Sequence, residues 1–179
     1  MLSTSPPLVV GKNIRKCMEI AQPGDIICRR FDCYLDGYFI PGKYTHSCIV
    51  VDNKTIIDSM AEGVRQRDII DFIKDTDGFI ILRPTYKSEE DKKKVIDYAK
   101  SKIGSGYDFV FSDDNNAYYC HELTALSLLA GGIPVPRVGN IYLSSDLEAI
   151  CKRVYESDDP KFAASRVISW FLPIRYHKK

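Results

Sequence analysis

Apolar residues recur at steps of three and four in some stretches of the chain and alternate or run together in others, which separates helices from strands. From 11 to 22, Ile14, Cys17, Met18 and Ala21 share one helical face, and Pro23-Gly24 ends the pattern. DIICRR, 25 to 30, is short and isoleucine-rich and predicts a first strand. HSCIVVD and TIIDSM, on either side of Asn53 and Lys54, predict a hairpin. GVRQRD supplies another short strand, and DIIDFIKD a helix capped by Asp68. GFIILRP, 78 to 84, is nearly all apolar up to Pro84 and predicts a central strand.

SEEDKKKVIDYAKSKIG carries a full set of helix signals. Ser88 is the cap with acidic residues in the first turn, Val95, Ile96, Ala99 and Ile103 form the buried face, and Gly104 ends it. In NNAYYCHELTALSLLAGGIP, 115 to 134, Leu123, Leu126, Leu129 and Ala130 give a second apolar stripe, stopped by Gly131-Gly132 and Pro134. Ser112, Asp113, Asp114, Asn115 and Asn116 all offer N-caps, so its start falls near 115 to 119 and Cys120 lies in the first turn. Beyond Pro136 the pattern predicts a loop, a short helix near Ser145 to Ile150 and a closing strand.

Hairpin register decides which side chains meet. With a three-residue loop, Asp52-Asn53-Lys54, Val51 faces Thr55, Cys48 lies opposite Asp58, and both share a face with His46. With a two-residue loop, His46 and Asp58 fall on opposite faces. The aromatic segment from Phe31 to Lys43, broken by Gly37, Pro41 and Gly42, is a long loop suited to walling a site.

The 179 residues are 45% hydrophobic and 27% charged, as expected of a single globular domain spanning residues 1 to 179. A formal charge of +1, with no basic run interleaved with aromatics, argues against a nucleic-acid partner. No apolar run approaches the roughly 18 residues of a membrane span. The first residues lack a basic region followed by an apolar core, so no secretory signal is expected. Cysteines at 17, 28, 33, 48, 120 and 151 form no CxxC pair and suggest reduced thiols in a cytoplasmic setting.

Cys120 at a helix start has unpaired N–H groups and the positive dipole end beside it, which favour the thiolate, the nucleophilic form. A free cysteine is also a small hydrophobe that packs in cores, and the helix by itself does not choose. A nucleophile needs a base from another element. Of the three histidines, His177 sits in a basic C-terminal end, and His121 points about 100° away from its neighbour Cys120. His46 begins a strand after a glycine-containing loop and is the candidate base; Asp58, twelve residues on, orients it if the three-residue loop holds. Glu122 and Asp113-Asp114 read as helix-start charges.

The order of parts resembles the circularly permuted branch of the NlpC-type papain-like cysteine peptidases, and YiiX-like members above all, in which histidine precedes cysteine. The resemblance rests on PGDII (23–27), THSCIVVDNKTIIDSMAEGVR (45–65), GYDFVF (106–111), YYCHEL (118–123) and SSDL (144–147), and so covers about residues 23 to 148. It implies an α+β fold, an antiparallel sheet packed against helices with the catalytic cysteine at a helix N-terminus. It further implies Cys120 as nucleophile, His46 as general base and Asp58 as orienting residue, in a cysteine hydrolase cleaving a peptide or peptidoglycan-type amide bond through a thioester. Tyr107 and Tyr119 become candidate substrate contacts, and the Cys120 backbone N–H a candidate oxyanion donor. The chain departs from the family pattern at His121, where a small residue is usual, and at Asp58, where glutamate is common, so Glu62 stands as an alternative third residue.

A lipid acyltransferase or thioesterase on the same fold is the second enzymatic reading, with 31–40 and 168–174 as possible lipid contacts. A binding-only shell is a third. Cys28, Cys33, Cys48, His46 and Cys120 supply soft metal ligands, but their spacings match tetrahedral zinc poorly, so neither metal nor cofactor is expected.

Overall fold

Alternation along the strands decides the layering. The computed structural model describes residues 8–31, 42–112, 116–137, 139 and 141–157. In it β1 (Ile26–Arg30), β2 (His46–Val50), β3 (Thr55–Met60), β4 (Gly63–Asp68), β5 (Gly78–Arg83) and β6 (Lys152–Glu156) form one sheet in the order β4-β3-β2-β1-β5-β6. Each neighbouring pair is antiparallel. Ile26, Cys28, Ile49, Ile57, Ile80 and Leu82 enter one core; Ile27, Cys48, Val50, Ile56, Phe79 and Ile81 enter the other. A sheet apolar on both faces must be covered on both. α1 (Gly11–Ile20) and α2 (Ile69–Ile73) cover the second face, and α3 (Glu89–Ser101), α4 (Cys120–Ala130) and α5 (Ser144–Ile150) the first. The nearly unbroken apolar run of β5 follows from its interior place between β1 and β6.

The β2–β3 turn has three residues, because the Asp52 carboxylate collects the N–H groups of Lys54 and Thr55 at 2.8 and 2.9 Å. That fixes Cys48 opposite Asp58 and Ile49 opposite Ile57, and puts Asp58 on the face that His46 occupies. Asp25, the acidic residue of PGDII, is buried and holds Arg83 through both carboxylate oxygens, at 2.8 and 2.7 Å. Arg83 also donates to the Ile20 carbonyl at 2.9 Å, so this one side chain ties the end of α1 to β1 and β5.

Two helices differ from expectation. α4 begins at Cys120 itself, with Tyr119 extended before it and the Glu122 carboxylate accepting the Tyr119 N–H at 3.3 Å. None of the described cap candidates serves: the Ser112 N–H is taken by Asp108 at 2.7 Å, Asn116 turns the chain with φ +48, and 113–115 lie outside the described residues. The expected stripe is also corrected. Cys120 to Ala125, Ser127 and Leu128 are buried, while Leu129 and Ala130 are exposed. α4 is wedged between the sheet and α3, so closely that a Cβ on Gly131 would lie 2.8 Å from the Asp91 carbonyl. Confinement on two sides buries most of the first two turns rather than one narrow stripe.

In α3, Ser88 caps as expected, accepting the Asp91 N–H at 3.1 Å, but Ile103 lies past the helix end and is exposed. Most of the 31–43 loop and the tail from 158, including His177 and 168–174, fall outside the described residues. Among the described residues, no helix is long and apolar enough to cross a membrane.

Candidate active site

Cys120 is the first residue of α4 and is 1% exposed. Its Sγ hydrogen-bonds to the Thr45 carbonyl at 3.8 Å, and the backbone N–H groups of Ser47 and His121 face it. The sulfur therefore lies against the backbone on either side of His46. Burial pushes the thiol up to about 11, the two N–H groups and Arg29 opposing and Asp58 adding to the rise. This reverses what the helix start alone implies. A helix end contributes roughly 0.3–2 kcal/mol, and desolvation of a fully buried thiolate outweighs it. The resting group is a neutral thiol.

His46 Nε2 and Asp58 Oδ2 are 3.1 Å apart. Asp58 is fully buried; that burial would raise its carboxyl, but the His46 hydrogen bond and the nearby Arg67 and Arg29 guanidiniums bring it below the ordinary carboxylate range. Burial drives the imidazole the other way, down to about 4, with Asp58 opposing and Arg29 and Arg67 adding to the fall. The pair is a neutral ring beside a carboxylate. A carboxylate only accepts, so Nε2 carries the proton and Nδ1 presents the lone pair.

The ring rests on Phe72 of α2, with centroids 5.5 Å apart, whereas Cys120 belongs to the opposite cover of the sheet. The sulfur meets the backbone that flanks His46 at the first residue of β2, and the thiol hydrogen bond goes to the Thr45 carbonyl, not to the imidazole. Glu62 is at the surface beside Arg65 at 3.4 Å, and the carboxylate that His46 contacts is that of Asp58. Tyr107 packs against Phe109 with the rings tilted and their centroids 4.7 Å apart. Tyr119 uses its hydroxyl to accept the Tyr142 N–H at 2.6 Å and meets Phe111 edge-on at 4.9 Å.

Sequence reasoning missed the polar groups behind the cysteine. Ser47 is buried, and its Oγ lies 2.8 Å from His121 Nδ1, 3.0 Å from Thr124 Oγ1 and 3.3 Å from the Cys120 carbonyl. Alternation was the available signal: with His46 on one face of β2, Ser47 must face α4. His121 is buried and held neutral, down to about 3, first by burial and then by His46, with the Tyr44 carbonyl opposing. Arg67 and Arg29, which flank Asp58, were also missed; the β3–β4 hairpin brings Arg67 there from nine residues away, and pairing of β1 with β2 brings Arg29. Of the soft metal ligands, Cys28 and Cys48 enter opposite cores and Cys33 lies outside the described residues. Among the described residues, no group of three or more His, Cys, Asp or Glu is set to hold a metal ion.

A helix-covered antiparallel sheet with a cysteine opening one helix, preceded in the chain by a hairpin histidine, is the papain-like arrangement in permuted order. Residues 20–146 match the family model of permuted papain-like amidases of the YaeF/YiiX type, and the chain belongs to that family. It is thus a cysteine peptidase- or amidase-like enzyme. Among solved structures it is similar to YiiX of Escherichia coli O157:H7, described as a metalloprotein, at 26% identity and a TM-score of 0.54 over 65% of this chain and 69% of that one. No curated protein matches it in sequence.

Proposed function

We propose that the protein cleaves an amide bond in a peptide or peptidoglycan-type peptide, with Cys120 as nucleophile, His46 as general base and Asp58 as the residue that orients the imidazole. The observation that carries this reading is the 3.1 Å contact of His46 Nε2 with Asp58 Oδ2, which leaves Nδ1 as the basic nitrogen on the residue whose flanking backbone touches the sulfur. Because the thiol is neutral at rest, its proton leaves as the sulfur attacks. Cys120 turns from the Thr45 carbonyl, Sγ bonds to the substrate carbonyl carbon, and the proton passes to His46 Nδ1. The imidazolium, stabilised by Asp58, returns that proton to the leaving amine as the C–N bond breaks. Water then hydrolyses the thioester with His46 again as base. The Cys120 backbone N–H, at the open start of α4, donates to the oxyanion.

The test is turnover of a panel of N-acylated dipeptidyl aminomethylcoumarins and muramyl-type peptides, with intact mass reporting the acyl adduct. Cys120→Ala is expected to abolish turnover and adduct with little change in melting. Equal loss of activity and stability would make Cys120 a packing residue only.

A second reading, acyl transfer from a lipid, is favoured by one observation. Phe109 and Val110 are 68% and 74% exposed, and the adjoining Phe111 packs edge-on against Tyr119 next to the cysteine. Acyl adducts from phospholipid esters, with none from the peptides, would select it.

A further inference from the structure

Asp58 carries two hydrogen bonds on one oxygen. Oδ2 lies 3.1 Å from His46 Nε2 and accepts from Arg67 Nη1 at 3.0 Å, while Oδ1 is buried with no hydrogen-bond partner. A carboxylate held at one oxygen by one donor is free to turn and offer the other; a second, independently anchored donor removes that freedom. Arg67 is so anchored. The same Nη1 meets Met60 Sδ at 2.9 Å, and Nη2 reaches the Asp71 carbonyl at 3.5 Å. Arg67 pairs with Ile56, two residues from Asp58 on β3, so it stands diagonally beside Asp58 on the same face.

We propose that Arg67 is a positioning residue for the proton-transfer pair: its hold on Asp58 Oδ2 keeps the carboxylate aimed at His46, so that Nε2 stays protonated and Nδ1 stays the basic nitrogen. The inference deepens the assignment of Cys120, His46 and Asp58 and rests on it. Charge acts in the same place. The ionisable groups facing the imidazole are Asp58 from β3, Arg29 from β1, Arg67 from β4 and His121 from α4, with Cys120 against the same strand. From α2 come the Phe72 ring and the Asp71 carbonyl, the Asp71 carboxylate itself being taken by Lys74 at 2.6 Å. Two guanidiniums therefore stand against one carboxylate. Removing Arg67 takes away a cation and leaves Asp58 wholly to His46, and both changes make the ring easier to protonate.

The experiment compares Arg67→Met, Arg67→Gln and Arg67→Lys by two readouts. One is the titration of the His46 ring by side-chain NMR, which needs no turnover; the other is acylation by p-nitrophenyl acetate as a function of pH. In the Met variant the His46 midpoint is expected to rise by about one unit and the acid limb of acylation to move with it, with the rate at pH 7 down roughly tenfold. The Gln variant, which keeps a donor without charge, raises the midpoint with a smaller loss of rate. The Lys variant stays near wild type. Should the Met variant fail to fold, the Gln variant carries the comparison. An unmoved midpoint and acid limb in the neutral variants would reduce Arg67 to an ion pair of the fold. A shifted midpoint without any acylation of Cys120 in the wild type would instead overturn the catalytic assignment and leave the hold of Arg67 on the pair standing.

Discussion

Ser47 Oγ and His121 Nδ1 meet at 2.8 Å across the contact between β2 and α4, and this buried bond ties the strand that carries His46 to the turn that carries Cys120. The same hydroxyl touches Thr124 and the Cys120 carbonyl. Ser47 thus helps to set the relative placement of the two site residues, together with Ser59, which donates to the Tyr118 carbonyl. Ser47→Ala leaves a buried imidazole nitrogen unpaired and is expected to cost about 2 kcal/mol. Urea denaturation measures the cost, and acylation by p-nitrophenyl acetate is expected to slow in parallel. A variant as stable and as fast as wild type would remove the network from the account.

Asp58→Asn keeps the shape and removes the charge. The amide no longer enforces a proton on His46 Nε2, so the ring is free to take the tautomer that leaves Nδ1 without its lone pair. A loss of about 10²–10⁴ in kcat, with KM nearly unchanged, is expected. Arg67 and Arg29 lose their shared carboxylate, so stability falls as well, by about 3 kcal/mol. An intact kcat in the Asn variant would dismiss Asp58 as an orienting group.

Acid should unfold the protein through its histidines. His46 and His121 sit at about 4 and about 3 in the folded chain against 6.5 when unfolded, so the unfolded state takes up protons first. Their neutral-state stability is complete above pH 6.5 and drains as pH falls toward 4 for His46 and 3 for His121. For His46 the loss is on the order of 3 kcal/mol. Asp58, whose carboxyl is held below the ordinary value, adds a further loss at the acid end. Chemical denaturation between pH 7 and 4 should show the slope, reduced in His46→Gln. A flat profile would contradict the burial of both rings.

Alkylation orders the thiols. Burial raises Cys120 to about 11 and Cys17 and Cys151 to about 12, and pushes Cys28 and Cys48 well above the ordinary thiol range. Limiting iodoacetamide at pH 8, followed by peptide mapping, is expected to modify Cys120 ahead of these four, and slowly because the sulfur is buried. Earlier labelling of Cys151, which is partly exposed, would show that access and not proton affinity sets the order.

Much of this molecule can be read residue by residue. The alternation of HSCIVVD and TIIDSM limits the hairpin to two registers, and the three-residue turn that Asp52 closes selects the one that joins His46 to Asp58. Periodicity likewise marks α3 and the central place of β5, because local spacing and burial on a neighbouring face follow from the same short pattern. The α4 stripe failed for the converse reason: confinement between sheet and α3 buries Thr124 and Ser127 and leaves Leu129 exposed, and no spacing within the helix encodes a second neighbour.

Residue order alone determined most of the elements, narrowed the hairpin to two registers and pointed to the family through Cys120, His46 and Asp58, since each is written in neighbours a few positions apart. Tertiary structure alone decided that the thiol rests neutral against Thr45, that Ser47 and His121 brace it, and that Arg67 shares the carboxylate with His46. The first two outcomes depend on desolvation and on contacts between a strand and a helix far apart in the chain, and the third on three strands meeting in one sheet; all become defined only when the sheet closes between its two helical layers.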